Sequence, residues 1–314
     1  MKNTNVLVTG GAGFIGSNLV KQLIKDGNDV TVIDNFMSGY RSNLNPFPTV
    51  KIIEGDIRDK EVVEKAMQNI EVVFHFAASV GNKRSIDFPI TDAEINVLGT
   101  LNILEAARKA GVRKIVTSSS AGIFGELKTL PIKEDHPIEP DSPYGCTKLA
   151  EEKLCLAYAK LYDIEAVCLR YFNVYGPNQR FDAYGNVIPI FVFKMLRHEP
   201  LTIFGDGEQT RDFVHVDDVV QANIKAAESA GVSGAFNIAS GNYITINRLV
   251  EMIIKNKPNY VKIEYGSERP GDVRDSLADI SFAHQKINYT PTVDIENGLE
   301  EYVRWAREIQ TEVK

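Results

Sequence analysis

The stretch TGGAGFIGS, residues 9–17, decides how the rest of the chain is read. It joins the short apolar run NVLVTG (5–10) to FIGSNLVKQLIKDG (14–27), where Phe14, Leu19 and Leu23 keep helical spacing before a glycine stop. Two glycine patterns overlap within it, Gly11-x-Gly13-x-x-Gly16 and Gly10-x-x-Gly13-x-x-Gly16. In a strand–turn–helix, one such glycine allows the tight turn and another lets backbone N–H groups approach a pyrophosphate. The last permits close helix–strand packing. The helix N-terminus adds partial positive charge. Asp34 closes the next strand, DVTVID (29–34), 18 residues after Gly16. A carboxylate there can accept from adenosine ribose hydroxyls and repels a 2′-phosphate, which favours NAD over NADP. Asn35 follows it, and Asp56, ending a third strand in EGDIR, is an adenine contact by the same strand-end logic.

Outward from this loop the first half alternates strand and helix. VKIIEGD (50–56), EVVFHFAA (71–78) and RKIVTSSS (113–120) repeat the strand pattern, with helices at about 59–68, 89–110 and 142–162. IEAVCLRYFNVYGP (164–177) is a further strand running into a polar, aromatic loop. Buried strands alternating with helices of this length predict an α/β fold of Rossmann type, a doubly wound parallel sheet with helices on both faces. Beyond 177 the elements shorten and Gly and Pro punctuate them (GPNQ, FGDGEQ, SERPGD). The expected organisation is a cofactor domain over 1–177, with interleaved segments from the second half, and a smaller α/β substrate lobe over 178–314.

Composition narrows the function classes. With 44% hydrophobic and 25% charged residues the chain is a folded protein rather than a disordered one. A formal net charge of −7 argues against nucleic acid or an anionic membrane as partner. The N-terminus enters a strand directly, without a signal peptide, and no apolar run is long enough for a membrane span. Cys146, Cys155 and Cys168 form no CxxC and accompany no His cluster, which predicts reduced thiols in a cytoplasmic protein and no metal site.

SPYGCTK (142–148) begins the helix 142–162 and places Tyr144 and Lys148 one turn apart on one face. Alone, this is first a surface pair. The alternative is a phenol whose proton affinity is lowered by an ammonium. A cation about 5 Å away at an effective dielectric near 20 contributes roughly 3 kcal/mol, about two pKa units, against an ordinary tyrosine value of about 10.

The motifs TGGAGFIGS, EGDI, HFAAS (75–79), INVLGT (95–100), SSSAGIFG (118–125), YGCTK and RYFNVYGPNQ (170–179) occur in order. GDGEQTRDFVHVDDV (205–219) and ERPGDVRDSLAD (268–279) continue the series. Together they resemble the extended short-chain dehydrogenase/reductase family, and within it the nucleotide-sugar 4-epimerases, over nearly the whole chain. The resemblance implies an NAD-dependent isomerase that oxidises a UDP-hexose to a 4-keto sugar and reduces it on the opposite face. Tyr144 is then the base and acid, Lys148 its electrostatic partner and a holder of the nicotinamide ribose, and Ser120, counted back from Gly125, the hydroxyl on the reacting oxygen. Ser118 and Ser119 fall on the loop and cofactor side. Phe14 and Ile15 are implied at the pyrophosphate and Ile57 beside adenine. Phe76, Ala77 and Ala78 line the cleft, Asn96 supports the catalytic region, and Tyr171 and Phe172 approach the nicotinamide. Val80 departs from some members, which carry a lysine there.

For the substrate, the resemblance assigns Arg211 and Arg269 to the diphosphate with Asn173, and Asp272 to the uridine ribose. Asn186, Val187, Thr202 and Phe204 lie around uracil and ribose. Guanidinium groups suit phosphate through their planar fork of donors. Ser276 borders the sugar C2 substituent, and a side chain this small leaves room for an N-acetyl group, so UDP-GlcNAc and UDP-GalNAc join UDP-glucose and UDP-galactose. Dehydratases and decarboxylases of this family place an acid where Gly122 stands, so elimination lacks its proton donor here. Arg84 keeps a UDP-uronate open, as either a sugar-facing or a solvated arginine. Reductase or dehydratase chemistry on the same fold is the rival reading, followed by an idle NAD-binding regulator. The long helices 89–110 and 142–162 imply a homodimer through a four-helix interface.

Overall fold

β-branched and aliphatic runs form the strands, and the central ones, such as Asn5–Thr9 and Val72–His75, bury both faces. The computed structural model describes residues 1–181, 185–255, 261–268 and 273–312. In chain order the first half comprises β1 (Asn5–Thr9), α1 (Phe14–Lys25), β2 (Asp29–Asp34), β3 (Lys51–Glu54), α2 (Lys60–Ala66), β4 (Val72–His75), α3 (Asn82–Asp87), α4 (Pro89–Ala93), α5 (Thr100–Ala110), β5 (Lys114–Ser120) and α6 (Pro143–Leu161). There follow β6 (Glu165–Tyr171), β7 (Asn173–Tyr175), α7 (Val187–Leu196), β8 (Leu201–Phe204), β9 (Thr210–Arg211), β10 (Phe213–His215), α8 (Val216–Glu228), β11 (Gly234–Ile238), β12 (Ile244–Thr245), α9 (Ile246–Lys255), β13 (Ile263–Gly266), α10 (Ser281–Ile287) and α11 (Ile295–Glu312).

The main sheet has seven strands in the order β11-β6-β5-β4-β1-β2-β3, and every pairing in it is parallel. Strand order reverses between β1 and β4, the point at which a doubly wound sheet opens a crevice beyond its carboxyl ends. One core cluster joins Val6, Leu19, Leu23, Val32 and Phe236. Another joins Leu7, Ile33, Ile57, Leu104 and Cys155. The seventh strand comes from 234–238, so the second half contributes to this sheet. A third cluster, with Ile188, Phe191, Leu249, Tyr302 and Val303, holds α7, α9 and α11 together.

Two elements differ from the sequence reading. The predicted helix 89–110 is α4 and α5 joined by a wider, π-type turn over Glu94–Gly99. Such turns insert where side-chain packing overrides the regular ladder. Here Gly99 lies against Ile57, whose Cδ1 would stand 2.5 Å from a Cβ at that position. The predicted strand 164–177 is two strands, β6 in the main sheet and β7, which pairs in parallel with β10. The three cysteines are free thiols, Cys146 exposed and Cys155 and Cys168 buried. Among the described residues no helix is long and apolar enough to cross a membrane.

Candidate active site

The glycine loop is built by close approach. Gly10 has φ +67°, and a Cβ on it would meet the Ala77 backbone N at 2.7 Å. A Cβ on Gly16 would stand 2.3 Å from the Gly10 carbonyl oxygen, so α1 lies directly on the turn. Gly13 caps α1 without a side-chain hydrogen bond, and a Cβ there would meet only the Gly10 oxygen, at 3.2 Å. Open space, free helix N–H groups and positive φ are what a pyrophosphate requires. Asp34 completes the cradle. One carboxylate oxygen accepts from the Ala12 N–H at 2.9 Å and the other from the Phe36 N–H at 2.8 Å. Burial pushes its carboxyl above the ordinary value, against these two bonds.

The end of β4 is tied to this loop through His75. The Thr9 hydroxyl accepts from the Phe76 and Ala77 N–H groups at 3.1 Å each, and so donates to His75 Nδ1 at 2.7 Å. The other ring nitrogen then carries the proton and meets the Thr100 hydroxyl at 3.0 Å, which itself donates to the Asn96 carbonyl. Phe76, Ala77 and Ala78 are left half-buried along the crevice.

α6 begins where serine and proline direct it. Ser142 caps the helix by accepting from the Gly145 N–H, and Pro143 takes the first position. The Tyr144 N–H is received by Ser85 of α3 at 3.0 Å. This start sets the half-buried Tyr144 ring beside the end of β5. A Cβ on Gly122 would be 3.3 Å from Ser120 Oγ and 3.8 Å from two ring carbons of Tyr144, so the three residues surround one space. Lys148, 2% exposed, donates to Glu151 at 2.6 Å and to Ser118 at 3.4 Å. Burial pushes the Tyr144 phenol above its ordinary value; Lys148 and Ser120 pull it down, and Glu151 and Asp92 push it up. The expectation of a phenol acidified by Lys148 is therefore corrected for the chain by itself: burial is the larger effect, and Glu151 offsets part of the ammonium's charge.

Next to this space, Ser120 pairs with Tyr171 across β5 and β6, and the chain runs on through Phe172 to Asn173. Asn173 Nδ2 donates to the Asp212 carbonyl at 3.1 Å, which brings Arg211 alongside. The Arg211 guanidinium is half-buried and donates to the Thr210 carbonyl at 2.7 Å. Thr210 also donates to Asp275 and faces the Ser276 N–H. Asn173, Arg211 and Ser276 thus come together from three distant parts of the sequence. Thr202 and Phe204 share one face of β8, against Gly266 of β13. Asn186 is exposed and Val187 half-buried at the start of α7. Arg269 and Asp272 lie outside the described residues.

The sequence profile described as the NAD dependent epimerase/dehydratase family matches residues 6–239. The chain belongs to that family. It is 42% identical over 305 residues, 96% of this chain and 98% of the relative, to the putative UDP-glucose 4-epimerase of Methanocaldococcus jannaschii. It is 40% identical to the UDP-N-acetylglucosamine 4-epimerase of Methanobrevibacter ruminantium solved with UDP-N-acetylmuramic acid (TM-score 0.94, covering 98% of this chain and 100% of that one). It is also 40% identical to the UDP-glucose 4-epimerase of Thermotoga maritima solved with UDP-glucose (TM-score 0.93, the same coverage). The glycine cradle and Asp34 fit the NAD of an NAD-dependent epimerase/dehydratase.

Several residues expected at the cofactor also make contacts within the protein. Asp56 already accepts from Arg58 through the backbone N–H, Nε and Nη2, and from Asn35, which holds its carboxyl at about 2, chiefly through Arg58. These bonds lie at the exposed rim of the crevice. The Ile57 side chain is core under Gly99, so only its backbone can flank a base. Asn96 is wholly buried and acts as a brace: it holds both backbone groups of Ser79 and donates to Thr147 and Asp92. Tyr171 turns into the core, where its hydroxyl meets Asn223 of α8, and Phe172 packs against Ile123 and Phe124. Tyr171 ends β6 and Phe172 follows it, so the two rings leave the chain on opposite sides. Ser119 donates to Glu152 and not toward the cofactor side. Sequence reasoning missed Glu151, Thr117, Asp92 and Asp212. The sequence reading of 142–162 gives only a helix, and the packing of α6 on β5 shows that Glu151 and Glu152 are buried.

Proposed function

We propose that this protein is an NAD-dependent UDP-hexose 4-epimerase that interconverts UDP-glucose with UDP-galactose and UDP-GlcNAc with UDP-GalNAc. The observation that carries this reading is the space shared by Ser120, Tyr144 and Gly122, where a reacting hydroxyl finds a proton acceptor and a hydrogen-bond donor but no acid to drive elimination. When bound, NAD supplies a hydride acceptor and donor at the sugar C4 and, when oxidised, a positively charged ring. Tyr144 takes the proton of the C4 hydroxyl and returns it when the ring has presented its other face. Ser120 receives the Gly122 N–H at 3.1 Å and hydrogen-bonds the Tyr144 phenol, so its hydroxyl stands between that phenol and the sugar oxygen it is to hold. Lys148 has three donors; Glu151 and Ser118 take two, and the third serves the ribose.

Residues 1–177, with interleaved segments from the second half, carry the cofactor and 178–314 the sugar nucleotide; Asn173 of the first part joins Arg211, Arg269 and Asp272 of the second on diphosphate and ribose. Ser276, 8% exposed, is small enough for an N-acetyl group beside it. Arg84 supports a second reading, a UDP-uronate: it is half-buried on α3, whose Ser85 touches the Tyr144 backbone. We further infer a cytoplasmic homodimer. Leu98 and Leu161 are 55% and 70% exposed, on helical segments that also bring Tyr158 against Glu105.

The test is to incubate the purified protein, without added cofactor, with five UDP-sugars (glucose, galactose, GlcNAc, GalNAc and glucuronate) and separate the products. Redox-neutral interconversion at C4 is expected. Net accumulation of NADH, or loss of water from the sugar, would overturn the proposal.

A further inference from the structure

α6 buries three charged side chains in succession, Lys148, Glu151 and Glu152. Glu152 has a built partner, Arg170, with Nε and Nη2 at 2.9 and 2.8 Å. Glu151 is different: it is 1% exposed, and its partners are Lys148 at 2.6 Å and the Thr117 hydroxyl of β5, which donates to its other oxygen. Burial pushes its carboxyl above the ordinary value, and Lys148 and then Thr117 pull it back down; two donors, one of them cationic, on the two oxygens are the arrangement of an ionised carboxylate. A buried acid is costly unless it is paired in this way, and an alanine would fill the same helix position without that cost.

We propose that Glu151 is a positioning residue of the reaction: held by Thr117 against the sheet, its carboxylate fixes where the Lys148 ammonium sits and offsets part of its charge, so that Tyr144 keeps its proton until the oxidised cofactor adds its positive charge. This rests on the reading of Tyr144 as the proton-transfer group. The other groups around the carboxylate do not substitute for it. His75 of β4 is held neutral, its value pulled to about 3 by burial and then by Lys148. The Glu152 charge is answered by Arg170. Cys168 and Tyr171 of β6 are pushed up and stay protonated. Cys155 lies on the same helix, and Asp92 of α4 accepts from Thr147 at 2.5 Å. Glu151 is thus the anion in direct contact with the catalytic ammonium.

The experiment is a titration of the tyrosinate absorbance of the intact enzyme, with the Tyr144→Phe counterpart of each variant subtracted. Glu151→Gln keeps the shape and removes the charge. Its Tyr144 midpoint is expected to fall by about one pH unit, and the acidic limb of kcat to move the same way. Glu151→Asp restores the wild-type midpoint, which a role in packing alone would not require. Should Glu151→Gln not fold, Thr117→Val frees the carboxylate and is expected to move the midpoint downward by a smaller amount. An unchanged midpoint in a folded Glu151→Gln, or in Thr117→Val as its substitute, overturns the inference whatever happens to thermal stability. The titration does not depend on sugar turnover. A shifted midpoint in a protein that interconverts no UDP-sugar would overturn the proposed function and leave this inference standing.

Discussion

Acidification should loosen the crevice through His75 before it touches Tyr144. The ring is 1% exposed and bridges Thr9 of β1 to Thr100 of α5. Both ring nitrogens are committed, and the Thr9 hydroxyl it accepts from also holds the Phe76 and Ala77 N–H groups. A proton added at Nδ1 would break that relay. Burial first, and then Lys148, lowers the imidazole from 6.5 to about 3. The unfolded chain therefore binds a proton below its ordinary value while the folded chain does not. This stability is present above pH 6.5 and is lost as the pH falls toward 3. Between pH 7 and pH 5 the linkage amounts to about 2 kcal/mol, and it holds for any folded value well below 5. The assay is urea denaturation at both pH values, at one protein concentration and saturating NAD, for the wild type and His75→Gln. The variant starts less stable, but its loss on acidification should be smaller by about 2 kcal/mol, since every other titrating group is common to both. Equal losses in the two proteins would refute the reasoning, because the buried ring would then not be the group that couples.

Tyr144→Phe should lower turnover at least about 10²-fold while NAD still binds, measured by single-turnover kinetics and cofactor titration. Gly16→Ala puts a Cβ 2.3 Å from a backbone oxygen, so it should cost about 1–3 kcal/mol in stability and weaken NAD binding, seen in thermal melts with and without cofactor. Ser276→Tyr should reduce kcat/KM for the N-acetylated substrates by about 100-fold relative to the plain hexoses, in side-by-side assays. Glu152→Ala strands the Arg170 guanidinium in the core and should destabilise by about 3–5 kcal/mol in denaturant titration.

Much of the cofactor side was legible because its causes are local. The turn of 9–17, the Ser142 cap and the spacing of Tyr144 to Lys148 depend on residues a few positions apart, and the structure keeps all three. Asp34 was legible for the same reason, since a strand end at that distance from the glycines faces the loop. The substrate side was legible only through resemblance: Asn173, Arg211 and Ser276 meet because β7 pairs with β10 and Thr210 reaches Asp275.

By itself, then, the sequence determined the doubly wound α/β scaffold, the dinucleotide loop and the one-turn spacing of Tyr144 and Lys148, because period, turn chemistry and helix spacing are properties of neighbouring residues. Only the tertiary structure decided which side chains remain free to act. Asp56 meets Arg58 and Asn35, the Tyr171 hydroxyl meets Asn223, and Lys148 is held by the buried Glu151. Burial and partner choice come from packing between elements, and these set whether a polar group faces a ligand or completes the core.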